Sequence, residues 1–180
     1  RNLNLQRNAL TGTLPGYGLW SRLTHLKFLW LSENQLEGSL EPTAGEGSGW
    51  LACLSELEQL VLYGNRFTGM VPRSLGSLRK LKLLMLDRNG FTGIVPAPVF
   101  MLPQVQDLLL FSNDLRGFGT TDWRAMRSLR NVMLHNNHRL RGFLPDLPPS
   151  IEKLDLRGSQ LNGTFPPSWN SPGLPRLRAL

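Results

Sequence analysis

The sequence predicts an α/β solenoid, a right-handed superhelix of about seven turns with a parallel β-sheet on its concave face. Three observations carry this reading. The pattern L-x-x-L-x-L-x-x-N-x-L/F-x-G-x-x-P, complete in Leu81 to Pro96, can be laid over most of the chain. The asparagines at 65, 89, 113 and 137 fall at even steps of 24 residues. Within each copy, alternating apolar residues mark a short strand, and glycine and proline punctuate the chain after it.

The physics of one unit explains the pattern. Strand alternation turns Leu84 and Leu86 inward and Met85 outward, onto the open face of the sheet. Asn89 stands where the chain leaves the strand. Its amide both donates and accepts, so it can satisfy backbone groups of neighbouring turns and form a ladder through Asn8, Asn34, Asn65, Asn89, Asn113 and Asn137. Phe91 then re-enters the core, Gly93 permits a close bend, and Pro96 opens a short 3-10 or irregular crossing of the convex side. Leu75 and Leu78 fill the convex layer one turn earlier.

Taken in order, the first repeat, LNLQRNALTGTLP, has Asn8, Gly12 and Pro15 in register. The second, LKFLWLSENQLEGSL, centres on Asn34 and the third, LEQLVLYGNRFTGMVP, on Asn65, a step of 31. The surplus residues are expected to bulge as a convex-side loop over 41–50, where the chain is polar and glycine-rich. The fifth repeat, VQDLLLFSNDLRGFGT, has Thr120 where others have proline; the sixth, LRNVMLHNNHRLRGFLP, carries an extra residue before Leu140. In the seventh, Ser159 takes the asparagine position, and its shorter hydroxyl predicts the weakest rung. Residues 1–180 read as a single domain, and both ends break off within a repeat, as an uncapped piece of a longer chain would.

The L-x-G-x-x-P segments at Leu10–Gly12, Phe67–Pro72 and Leu161–Pro166 resemble the plant-type leucine-rich repeat. The chain is similar to the ectodomains of plant receptor-like kinases, receptor-like proteins and polygalacturonase-inhibiting proteins, and to related repeats in algae and protists. That resemblance implies protein or peptide recognition on the concave face and an extracellular or cell-surface location. The paired cap cysteines of that family are absent, which leaves an intracellular or organellar assembly subunit as the alternative.

Composition bounds the rest. A net charge of +7, from 20 basic and 13 acidic residues, favours an acidic partner. No apolar run reaches the roughly 18 residues of a membrane span, so this segment is not expected to insert into a bilayer. Cys53, the single cysteine, reads as a small convex-side core residue.

Register places Phe28, Trp30, Val61, Tyr63, Leu83, Met85, Leu109, Phe111 and Met133 on the open face. A contiguous apolar strip of this kind predicts a contact surface, with Trp30, Tyr63 and Phe111 as anchors. Arg66, Arg88, Arg116, Arg139, Arg141 and Arg157 are expected as a basic rim, so the partner should be a protein or peptide with apolar surface and an acidic margin. Nucleic acid is disfavoured, because the outward aromatics lie among aliphatic residues and form no basic stacking groove. His135 and His138 lack a third ligand, no nucleophile stands beside a base, and neither a metal, a cofactor nor catalysis is expected. Asn162-Gly163-Thr164 is a glycosylation acceptor at an outward position. The leading expectation is a non-catalytic recognition module; the alternatives are a scaffold subunit docked permanently in an assembly, and an accessory domain of an enzyme.

Overall fold

The computed structural model describes residues 1–41, 49–170 and 173–178. The loop expected at 41–50 therefore falls largely, from 42 to 48, outside the described residues. Each repeat supplies two short strands. In chain order they are β1 (Asn2–Asn4) and β2 (Thr11–Thr13), β3 (Phe28–Trp30) and β4 (Gln35–Ser39), β5 (Gln59–Val61) and β6 (Arg66–Met70), and β7 (Leu83–Met85) and β8 (Gly90–Val95). The remaining pairs are β9 (Asp107–Leu109) and β10 (Asp114–Phe118), β11 (Asn131–Met133) and β12 (Arg141–Phe143), and β13 (Lys153–Asp155) and β14 (Gln160–Asn162). The odd-numbered strands form one seven-stranded parallel sheet in sequential order. Asn4, Trp30, Val61, Met85, Leu109, Met133 and Asp155 stand in one row across it.

The even-numbered strands build a second layer that the repeat pattern did not reveal. β2, β4, β6, β8 and β10 form a five-stranded parallel sheet, and β12 pairs with β14. The convex side is closed by a four-residue helix at Tyr17–Trp20 and 3-10 turns at Trp50–Cys53, Arg73–Ser77, Ala97–Met101 and Pro167–Trp169. Proline precedes three of these turns, at Pro72, Pro96 and Pro166, and presets their extended entry. Between sheets and turns the leucine columns are buried through the middle repeats, while Leu5 and Leu10 of the first repeat are exposed; Trp20 and Trp123 plug the convex layer and Trp169 is half-buried against it.

The asparagines stitch the turns together. Asn89 donates to the carbonyls of Leu62 and Leu86, one in the preceding turn and one in its own, and accepts from the N–H of Phe67. Asn34, Asn65, Asn113 and Asn137 repeat this arrangement. Ser159 donates only to Leu156 of its own turn, and Leu140 finds a backbone acceptor, Asn137, instead. The residue before each rung is left-handed: Arg7, Glu33, Gly64, Arg88, Ser112, Asn136 and Gly158 all have φ between 52° and 69°. This kink folds the amide back onto carbonyls two and three residues earlier. Only glycine adopts it without strain, so five turns accept a local cost on the order of 1–2 kcal/mol to keep the ladder.

The motif glycine has a second role besides bending. A β-carbon at Gly38 would lie 2.8 Å from Thr13, at Gly69 3.0 Å from Ser39, at Gly93 3.1 Å from Met70, and at Gly163 2.7 Å from Phe143. The side chain that follows one turn's glycine thus rests on the glycine of the next. The resulting row crosses the outer face of the second layer. Of its members Met70 is 54%, Ile94 51% and Phe143 65% exposed.

Candidate functional site

The concave sheet fixes three outward columns. Phe28 stacks on Trp30 of its own strand, ring centroids 5.7 Å apart, and the Trp30 indole N–H donates to Gln59 Oε1 at 3.1 Å. Where the strands end, a run of planar groups crosses the face. The Arg88 guanidinium lies over the Tyr63 ring at 5.1 Å and the Phe111 ring at 5.9 Å. Phe111 in turn stacks on His135 at 4.5 Å. His135 Nδ1 approaches Asp155 at 3.1 Å, and Arg157 donates twice to the same carboxylate. Arg88 itself has a left-handed backbone, with φ at 52°.

Two expectations need correction here. The nine apolar residues do share the face, but they are not openly exposed. Phe28, Trp30, Tyr63, Leu83, Met85, Leu109, Phe111 and Met133 are half-buried, and Val61 is only 5% exposed. Side chains on adjacent parallel strands, about 4.8 Å apart, shield one another. Val61, flanked by Trp30 and Met85 in its row, offers the least contact surface.

Nor do the arginines form one rim. Arg66 bonds Gln35, Arg88 reaches into the concave face, and Arg157 is committed to Asp155. Arg116, Arg139 and Arg141 instead line a cleft of about 460 Å³, with Arg116 and Arg141 in the second layer. Sequence carried a signal for this separation: both arginines immediately precede the motif glycine, outside the concave columns.

Two carboxylates of the concave face are held in opposite ways. Two bonds from Arg157 hold Asp155 below the usual carboxylate range. Burial pushes Asp87 above its ordinary value of 3.8; its side chain is inaccessible and Oδ1 lacks a partner. A raised folded-state value means the folded chain binds the proton more tightly than the unfolded one. Stability therefore falls as pH rises from the ordinary value through the raised one. Asp87→Asn should raise Tm at pH 7 by about 2–4 °C, the equivalent of roughly 1 kcal/mol, and leave it unchanged at pH 3. Thermal unfolding monitored by circular dichroism at both pH values checks this; an equal shift at both would discard burial as the cause.

Among the described residues, no group of three or more His, Cys, Asp or Glu side chains could hold a metal ion. His138 contacts the carbonyl of Gly158, away from His135. Asn162 is exposed at the end of β14. Among the described residues, no helix is long and apolar enough to cross a membrane.

The fold and this face define a solenoid with one parallel sheet on its concave side, its turns tied by an asparagine ladder. Family profiles described as leucine-rich repeat match residues 55–115, and 25–46 with 150–171, together more than half of the 180 residues. The chain belongs to the leucine-rich repeat proteins, and its repeats are of the plant type. No curated protein matches it.

Solved structures do. The chain is similar to the leucine-rich repeat ectodomain of the plant membrane receptor kinase GASSHO1/SCHENGEN3 from Arabidopsis thaliana, solved in complex with CASPARIAN STRIP INTEGRITY FACTOR 2. Identity is 32% over 92% of this chain and 19% of that one, with a TM-score of 0.81. It is similar to a TDR receptor at 26% identity over 98% of this chain and 29% of that one, TM-score 0.85. It also resembles the Arabidopsis receptor kinase HAESA, solved with the peptide hormone IDA and the co-receptor SERK1, at 31% identity over 88% and 25%, TM-score 0.78. The chain spans 19% to 29% of the length of these three.

Proposed function

We propose that the protein is a non-catalytic recognition module that binds a protein or peptide across its concave sheet. The observation that carries the reading is the run Tyr63–Arg88–Phe111–His135, a row of flat faces with a guanidinium held between two of them. Aromatic and arginine side chains dominate binding hot spots, because they add large contact area and directional bonding at little conformational cost. Half-burial suits such a role: the rings are fixed by their neighbours before a ligand arrives, which lowers the entropy lost on binding. The likeness to GASSHO1/SCHENGEN3 and HAESA, each solved with a bound factor or peptide hormone, supports the same reading. The partner's expected chemistry is apolar side chains for the Phe28–Trp30 and Leu83–Met85–Leu109–Met133 surface, with a carboxylate near Arg88.

Peptides selected from a random phage-displayed library against the intact chain provide the test. Trp30→Ala combined with Phe111→Ala should weaken the selected peptides more than tenfold, about 1.4 kcal/mol, measured by isothermal titration calorimetry. The double variant must retain its cooperative thermal transition. Unchanged affinity in a folded double variant would remove the concave face from the function.

A further inference from the structure

The outer face of the second layer carries a feature separate from the concave sheet. In β10 the register slips between Leu115 and Gly117, so Gly117 pairs with Ile94 and Phe118 with Val95. Without the slip, Phe118 would continue the exposed row. With it, Phe118 turns inward, edge-on against Phe100 and Trp123. Gly117 is left beside Ile94, and the row has a gap. Bulges of this kind re-aim side chains and recur beside binding sites.

The cleft lined by Arg116, Arg139 and Arg141 lies in this neighbourhood: the backbone carbonyl of Arg141 is 3.6 Å from where a Gly117 β-carbon would be. The charges there are not balanced. Arg139 pairs with Asp114 at 2.9 Å. Arg141 bonds only the neutral Gln160, and Arg116 makes no hydrogen bond or ion pair among the described residues. Neither Arg116 nor Arg141 is neutralised by a carboxylate among the described residues. Two residues along its strand from Arg141 stands Phe143, and Ile94 borders Gly117; both are more than half exposed.

We propose that this lateral cleft docks an extended segment of a partner protein, placing two acidic side chains against Arg116 and Arg141 and apolar side chains on Ile94 and Phe143. Charge complementarity sets the occupant: two uncompensated guanidiniums take two carboxylates, each able to accept paired N–H bonds. The exposed apolar residues on either side select an extended segment in which acidic and apolar residues stand two apart, on one face of the strand. An extended chain repeats each face about every 7 Å, matching the two-residue separation of Arg141 and Phe143 along their strand. Phe143, resting on Gly163, is held in place for this contact. The site is independent of the concave reading.

The probe is an acetylated and amidated seven-residue peptide, Glu-Ser-Leu-Ser-Glu-Ser-Leu, which when extended sets glutamate and leucine two apart on one face, titrated into the ¹⁵N-labelled chain. Saturable shifts are expected at the Arg116 and Arg141 Nε–H groups and the Gly117 amide, with affinity falling severalfold as salt screens the pairs. Arg116→Gln with Arg141→Gln should weaken binding at least tenfold, whereas Trp30→Ala with Phe111→Ala should leave it unchanged. Arg116→Glu with Arg141→Glu should transfer preference to the corresponding lysine–leucine peptide. Each substituted arginine is exposed, and a retained Tm establishes that the variants fold. No saturable shift, equal binding of the glutamine–leucine peptide, equal binding by the arginine variants, or binding only of a peptide with a free C-terminal carboxylate would overturn the proposal.

Discussion

Asn137→Ala is expected to destabilise the chain by about 3 kcal/mol, lowering Tm by roughly 6–12 °C for a protein of this size. Asn137 is fully buried. Its amide donates to the carbonyls of Leu110 and Leu134, and its oxygen accepts from the N–H of Leu115. Alanine removes all three bonds and strands the buried groups that made them. Each buried group stranded this way costs about 1–3 kcal/mol. Asn8 is the internal control: it is exposed and donates only within its own turn, to Leu5 and Gln6. Asn8→Ala should cost less than about 1 kcal/mol. Urea unfolding of both variants measures the difference, and equal losses would show that cross-turn bonding is not what the ladder contributes.

Gly119→Val should cost a comparable amount, about 3 kcal/mol, by a steric route. A β-carbon on Gly119 would sit 2.4 Å from the nitrogen of Ala97 and 3.1 Å from atoms of Val95 and Pro96. These are backbone atoms and cannot rotate aside. The N–H of Gly119 also donates to the Val95 carbonyl at 2.8 Å, so moving the chain to relieve the clash breaks a bond between turns. Gly12 offers the contrast: nothing lies within 4 Å of its β-carbon position, and only its positive φ opposes substitution. Gly12→Val should therefore lose only about 1–2 kcal/mol. Thermal unfolding separates the two, and a Gly119 variant no weaker than the Gly12 variant would mean that the convex turns yield more readily than their packing implies.

Much of this architecture was legible because the inward leucines and the ladder asparagines have narrow chemical requirements. A buried position between sheets admits few side chains, and a group that must both donate and accept at one corner admits fewer. The left-handed residue before each rung was not legible. Gly64 and Gly158 hint at it, but Arg7, Glu33, Arg88, Ser112 and Asn136 occupy the same conformation. Neighbouring bonds force that conformation on them, whatever their own preference.

The second layer was hidden for a related reason. All of its strands but β14 contain the motif glycine, and glycine within a short segment reads as a bend. The concave columns could be placed by register alone, yet their half-burial depends on how side chains of adjacent turns cover one another. Arg66 directly follows its ladder asparagine, whereas Arg116, Arg139 and Arg141 stand two to four residues beyond theirs. The slip in β10 and the extra residue before Leu140 then carry them to a cleft of their own.

The seating of Thr13, Ser39, Met70 and Phe143 on the glycines that follow gives the stack a polarity. Each of these four junctions has a knob upstream and a socket downstream, and the two cannot be exchanged. Blocks of such turns can be spliced only head to tail, with a glycine presented to whatever side chain arrives. A shuffled or duplicated array that reversed this order would meet side chain against side chain at the seam, so the direction of growth is written into the joint itself.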